Sequence, residues 1–140
     1  MSITLTHPTA GPGSTPLALA LPPDLIWSDE FAWSQVEETT QYTGTGALVI
    51  DEWTKQAGRP ITLAGEVTYG WCLRSELLTL NAWAATAGLV LTLARMGATH
   101  SVKFNRAGGG AGAIEATPVV PYSDPEASDP YTLTLRFLEL

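Results

Sequence analysis

The alternation of apolar and polar residues is clearest at the end of the chain, where Tyr131, Leu133, Leu135 and Phe137 interleave with Thr132, Thr134 and Arg136. Successive side chains of a strand point to opposite faces, so this pattern buries one face and predicts a central strand over 131–140. Two earlier runs, 89–95 and 101–106, place leucines and then Val102 and Phe104 at every second position around a turn at Gly97, and predict a hairpin. A strand is expected over 61–67, with Ile61, Leu63 and Val67 on one face, and a short one over 114–120. Residues 17–21 alternate Leu17, Leu19 and Leu21 with alanine until Pro22-Pro23 ends the segment. Between 33 and 50, Val36, Thr39, Thr40, Tyr42 and an apolar run at 47–50 predict two strands joined at Gly44-Thr45-Gly46. The period changes only between 71 and 87, where Leu73, Leu77, Leu80 and Ala84 recur at helical spacing. This predicts one helix over about 72–87, stopped by Gly88. Trp83 on that helix and Trp71 just before it are expected in the core.

The first 16 residues are rich in Pro, Gly, Thr and Ser and are expected to form a flexible, extended N-terminal arm. The remainder, 17–140, is one domain's worth of chain without internal repeats. Many strands and one helix predict a mainly β (α+β) fold: an antiparallel β-sandwich or small barrel with one flanking α-helix.

Composition narrows the function classes. Hydrophobic residues make up 45% and charged residues 15%, enough apolar surface for a packed core. Fourteen acidic against seven basic residues give a net charge of -7, a poor basis for gripping phosphates, so nucleic-acid binding is not expected. No basic leader precedes the short apolar run at 17–21, which reads as a cytoplasmic product. No apolar stretch approaches the roughly 18 residues of a membrane span, so membrane insertion is not expected.

Candidate chemistry is sparse. His7 and His100 lie far apart with no Cys or second His at metal-ligand spacing, so no metal site is expected. Cys72 is the single cysteine. It rules out an intrachain disulfide framework, has no His nearby in sequence, and is expected to be a small apolar residue at the helix start. Gly108-Gly109-Gly110-Ala111-Gly112 lacks the Gly-Lys-Ser/Thr of a phosphate loop and is expected to be a mobile hairpin loop. The pairs Asp29-Glu30, Glu37-Glu38 and Asp51-Glu52 point their members to opposite faces of a strand, unlike the two convergent carboxylates of a glycosidase, and are expected on the solvated surface. No catalytic residue and no cofactor is expected, and the chain does not read as an enzyme.

The surplus lies in tryptophan, five residues in all. Trp27, Trp33 and Trp53 stand among Pro, Asp, Glu and Lys and are candidates for a subunit interface, together with Leu17, Leu19 and Leu21. Exposed Trp platforms beside carboxylates would equally suit a monomeric carbohydrate-binding module.

The order of elements carries a resemblance. Gly58-Arg59-Pro60-Ile61-Thr62-Leu63-Ala64-Gly65, a turn with Gly70-Trp71, the helix, the hairpin over 89–106 and the closing 132–139 resemble small bacteriophage tail proteins, from about Leu17 onward. These are baseplate and distal tail proteins, whose β-sandwich core is shared with tail-tube and tail-completion proteins. The resemblance implies a virion component made in the host cytoplasm that assembles with itself into a ring, a hexamer. Its partners would be the tail tube and the baseplate hub, with DNA passing through and not bound. The longer distal tail proteins carry a second, carbohydrate-binding-like domain for which this chain has no room. Edge strands, arms and apolar anchors outside the core would serve a ring, and net negative charge would let DNA slide through.

Overall fold

The fold is built on its last strand. The computed structural model describes residues 2–107, 112–121 and 123–140. In it the strand β11, Pro130–Glu139, has neighbours along both edges. On one edge lie β6, Arg59–Ala64, and β7, Trp71–Leu73; on the other lie β9, Ala98–Phe104, and β10, Ile114–Pro118. Tyr131, Leu133, Leu135 and Phe137 are buried, and the intervening residues face outward, as the alternation predicts.

The other strands extend this frame. They are β1, Ile3–His7; β2, Leu17–Leu21; β3, Ile26–Trp27; and β8, Leu91–Arg95. The antiparallel order is β2-β1-β8-β9-β11-β6-β3, with β7 and β10 on β11. The two outermost strands, β2 and β3, are consecutive in the chain and joined by residues 22–25 alone. Such a link spans at most about 17 Å, so the two ends of the sheet are drawn together and the sheet curls around its apolar face as an open barrel. The helix α1, Arg74–Ala84, contributes Leu80 and Trp83 to that interior. The mainly β fold with one helix is as expected.

The predicted β8–β9 hairpin is present. Met96 (φ 53°) and Gly97 (φ 77°) form its two-residue turn, both in the left-handed region that suits the twist of the flanking strands. Leu91, Leu93, Val102 and Phe104 fill the core. The helix is shorter than expected. Its first N–H groups are met by the loop before β11, Arg74 N–H donating to Asp129 O (3.1 Å) and Ser75 N–H to Ala127 O (3.1 Å). Glu76 accepts the N–H of Leu73 (3.3 Å). At the other end Arg106 donates to the carbonyls of Ala84 (2.6 Å) and Thr86 (3.0 Å), fixing the end ahead of Gly88.

Four expectations are corrected. The arm expected over 1–16 is not free within the described residues: Ile3–His7 is an interior strand between β2 and β8, with Ile3 and Leu5 buried, and 8–16 is the loop of the β1–β2 hairpin. The strand after Arg59 ends at Ala64, leaving Val67 exposed. Trp71 is 46% exposed, its indole N–H donating to Val67 O (2.8 Å), so of the two expected core tryptophans only Trp83 is buried. Leu21 belongs to the core and not to a surface. The glycine-rich segment falls at 108–111 outside the described residues.

The chain between β6 and β7 makes a narrow-necked loop. Ala64 pairs with Thr134 and Trp71 with Thr132, so 65–70 must leave and return across the width of Leu133 alone. Gly65 donates to Leu133 O (2.7 Å), Glu66 and Tyr69 bond each other, and Gly70 N–H donates to Asp24 Oδ2 (3.0 Å).

Candidate functional site

The two strands predicted around Gly44-Thr45-Gly46 form as β4, Val36–Tyr42, and β5, Leu48–Thr54, in full register. They constitute a sheet of their own and every one of their residues is exposed. Val36, Tyr42, Leu48, Val49, Ile50 and Trp53 thus stand in solvent on a two-stranded hairpin, an arrangement of marginal stability in isolation. Paired residues share a face. One face carries Tyr42 opposite Leu48, Thr40 opposite Ile50, and Glu38 opposite Glu52; the other carries Trp53 opposite Glu37. Two carboxylates directly opposite one another repel, and this pair has no ion-pair partner among the described residues.

What anchors the hairpin is a ladder of cations and indoles at its root. Lys55 Nζ lies 5.2 Å from the centre of the Trp33 ring. Arg59 Cζ lies 6.0 Å from Trp33 and 4.6 Å from Trp27, and Arg95 Cζ is 5.5 Å from Trp27. Contacts of this kind contribute roughly 0.5–2 kcal/mol each according to how far they are desolvated. Hydrogen bonds fix the rungs: Lys55 Nζ donates to Ser34 O (2.8 Å) and pairs with Glu37 (2.8 Å), and Arg59 donates to Glu30 O (2.6 Å). His100 stands edge-on to Trp27, ring centres 5.7 Å apart.

The interface candidates therefore separate. Trp27 and Trp33 are brought together, partly buried, as rungs of the ladder; Trp53 is 50% exposed on the hairpin. Leu17, Leu19 and Leu21 form a different place, the barrel edge, grading from 39% exposed at Leu17 through a partly buried Leu19 to the core at Leu21. That edge is uncharged and lacks internal proline, so its unpaired backbone groups are unprotected against pairing with another strand. Arg59, Arg95, Lys55 and the almost fully exposed Phe31 escaped the sequence reading, since only folding brings positions 27, 33, 55, 59 and 95 to one spot.

The acidic pairs also divide. Glu37-Glu38 and Asp51-Glu52 are surface residues, as expected, but Asp29-Glu30 is structural. Asp29 accepts from Thr62 N–H (2.8 Å) and Thr62 Oγ1 (3.0 Å), and Glu30 lies 3.5 Å from Arg95.

Beside the ladder is a cleft of about 340 Å³ lined by Trp27, Phe31, Arg59, Arg95, Met96 and His100 among others. A second, of about 260 Å³, lies between Pro22-Pro23 and the 65–70 loop, with Tyr69 and Trp71 in its wall. No three His, Cys, Asp or Glu side chains gather as metal ligands among the described residues, and no helix among them is long and apolar enough to cross a membrane. Protein-family models, curated proteins and solved structures gave no match to the chain.

Cys72 is buried in β7 just before the helix, and its thiol is pushed up to about 11 by that burial and then by the charge of Glu76. It is protonated at neutral pH, the opposite of an activated nucleophile. At pH 8 the native thiol should react with an aromatic disulfide on the order of 100-fold more slowly than in the urea-unfolded chain, following the difference in thiolate fraction. Equal rates would contradict the burial. Because the folded value lies above the ordinary 9.0, the corresponding stability is whole below pH 9 and is lost as pH rises through 11. Cys72→Ala should lack that loss.

Proposed function

We propose that this chain is a non-enzymatic structural subunit that works by assembling with copies of itself into a ring. The observation that carries this reading is the β4–β5 hairpin: a buried apolar interior accompanies an outlying hairpin with six large apolar residues in water. A monomer gains nothing from that exposure, whereas a subunit buries it against a neighbour. The uncharged β2 edge supports the same reading, since it offers backbone pairing to another strand. Together with the resemblance to bacteriophage tail proteins, these features suit a tail-tip ring between tail tube and baseplate hub. Net negative charge then favours passage of DNA over its retention.

Light scattering on a sizing column should give one species several times the 14.9 kDa chain mass, seen as rings by negative-stain microscopy. A monomer at all concentrations would overturn self-assembly. Immunogold labelling should place the protein at the tail tip of phage particles; unlabelled particles beside labelled controls would overturn the phage assignment alone.

One observation favours a glycan-binding reading instead. Trp27 and Trp33 already hold cations against their rings, whereas Trp71 and Tyr69 line an open cleft with Asp24. Quenching of Trp fluorescence by oligosaccharides, lost in Trp71→Ala, would support it.

A further inference from the structure

We infer that the β4–β5 hairpin of one copy docks into the cleft beside Trp27 of a second copy, making a head-to-tail contact. The inference rests on the reading of the chain as a self-assembling subunit and names the two surfaces that meet.

The surfaces match in chemistry and in order. One face of the hairpin has an apolar tip of Tyr42, Leu48 and Ile50, backed toward the root by Glu38 and Glu52. The cleft has an apolar mouth in Phe31, 93% exposed, and Met96, 60% exposed, backed by the guanidiniums of Arg59 and Arg95, with the carboxylate of Glu30 in its lining and that of Glu139 behind it, 3.3 Å from His100. On a chain of net charge -7, an acidic segment of a second copy is repelled least where cations gather, and this cleft holds two of the seven Lys and Arg residues. Docking would set the Glu38 and Glu52 carboxylates near guanidiniums, relieving the repulsion that the free hairpin carries. It would also cover Phe31 together with the tip. The hairpin does not fill its own cleft, because all fourteen strand residues are exposed and, among the described strands and helix, the two strands make extensive contact only with each other. At about 3.4 Å per residue, seven-residue strands reach roughly 24 Å from the root, long enough to enter a neighbour.

A contact between two different surfaces is heterologous, and repeating it builds a ring when the rotation between copies closes and an open filament when it does not. The hairpin's place on the ladder gives it a second meaning: Arg59 holds the root of its own hairpin through Trp33 and lines the cleft that receives the neighbour's.

The test uses two variants that alter only exposed side chains: the hairpin variant Glu38→Lys/Glu52→Lys and the cleft variant Phe31→Glu. Circular dichroism and thermal unfolding should match the parent. The expected result is that the wild-type chain assembles, each variant alone sediments as the 14.9 kDa monomer, and an equimolar mixture forms a heterodimer that stops there. In that mixture one native hairpin meets one native cleft, and the open ends are both disabled. If the cleft variant assembles while the hairpin variant does not, the contact is hairpin to hairpin and the inference is overturned. If both variants assemble like the wild type, other surfaces hold the ring, and the inference falls while self-assembly stands. A monomeric wild-type chain overturns both readings.

Discussion

Leu5→Ala is expected to lower the free energy of unfolding by about 2–5 kcal/mol, the range for removing a leucine side chain from a packed interior. Leu5 is fully buried, opposite Leu19 on β2 and Leu93 on β8, in an interior strand of the barrel. Its loss would leave a cavity where three strands meet. The measurement is urea unfolding followed by circular dichroism. Thr6→Ala, one residue on and facing outward, is the control and should change stability by less than about 1 kcal/mol. A Leu5→Ala change within about 0.5 kcal/mol, the range of a surface substitution, would mean that residues 1–16 are a free arm after all.

The same residues show where the sequence was legible and where it was not. Ile3-Thr4-Leu5-Thr6-His7 does alternate, but the nine residues that follow, with Pro8, Gly11, Pro12, Gly13 and Pro16, set the composition of the window. Their proline and glycine belong to a connecting loop, and they masked a strand of five residues. Where alternation runs longer, as in β11, or is closed by a left-handed turn, as at Met96-Gly97, it gave the element and its buried face together. Trp71 was misplaced because a tryptophan before a helix reads as core by type alone; its side chain instead braces the 65–70 loop through Val67 O. The ladder was half legible. Trp27 and Trp33 stood out for their polar surroundings, but a ring stacked by arginine and a ring awaiting a partner subunit look identical until positions 59 and 95 fold against them.

Gly70→Ala is expected to be the most damaging of the single-methyl additions, and the geometry of the loop neck says why. Gly70 adopts φ 72°, a backbone region that disfavours alanine by about 1–2 kcal/mol. A Cβ there would also lie 2.6 Å from the Gly65 Cα and 3.0 Å from Leu25 Cδ2, with the opposing backbone held by the bond from Gly65 N–H to Leu133 O. Overpacking of this kind adds roughly 1–3 kcal/mol. Two further substitutions separate the contributions. Gly88→Ala, at φ 74° with nothing within 4 Å of the added carbon, should show the left-handed cost alone. Gly65→Ala, whose φ is not positive but whose Cβ would meet Gly70 O at 2.6 Å, should show the steric cost alone. The expected order of thermal stability is wild type highest and Gly70→Ala lowest. Equal losses for Gly70→Ala and Gly88→Ala would mean that the neck yields freely, and that the crossing of β6 to β7 opposite Leu133 is not what requires glycine on both sides.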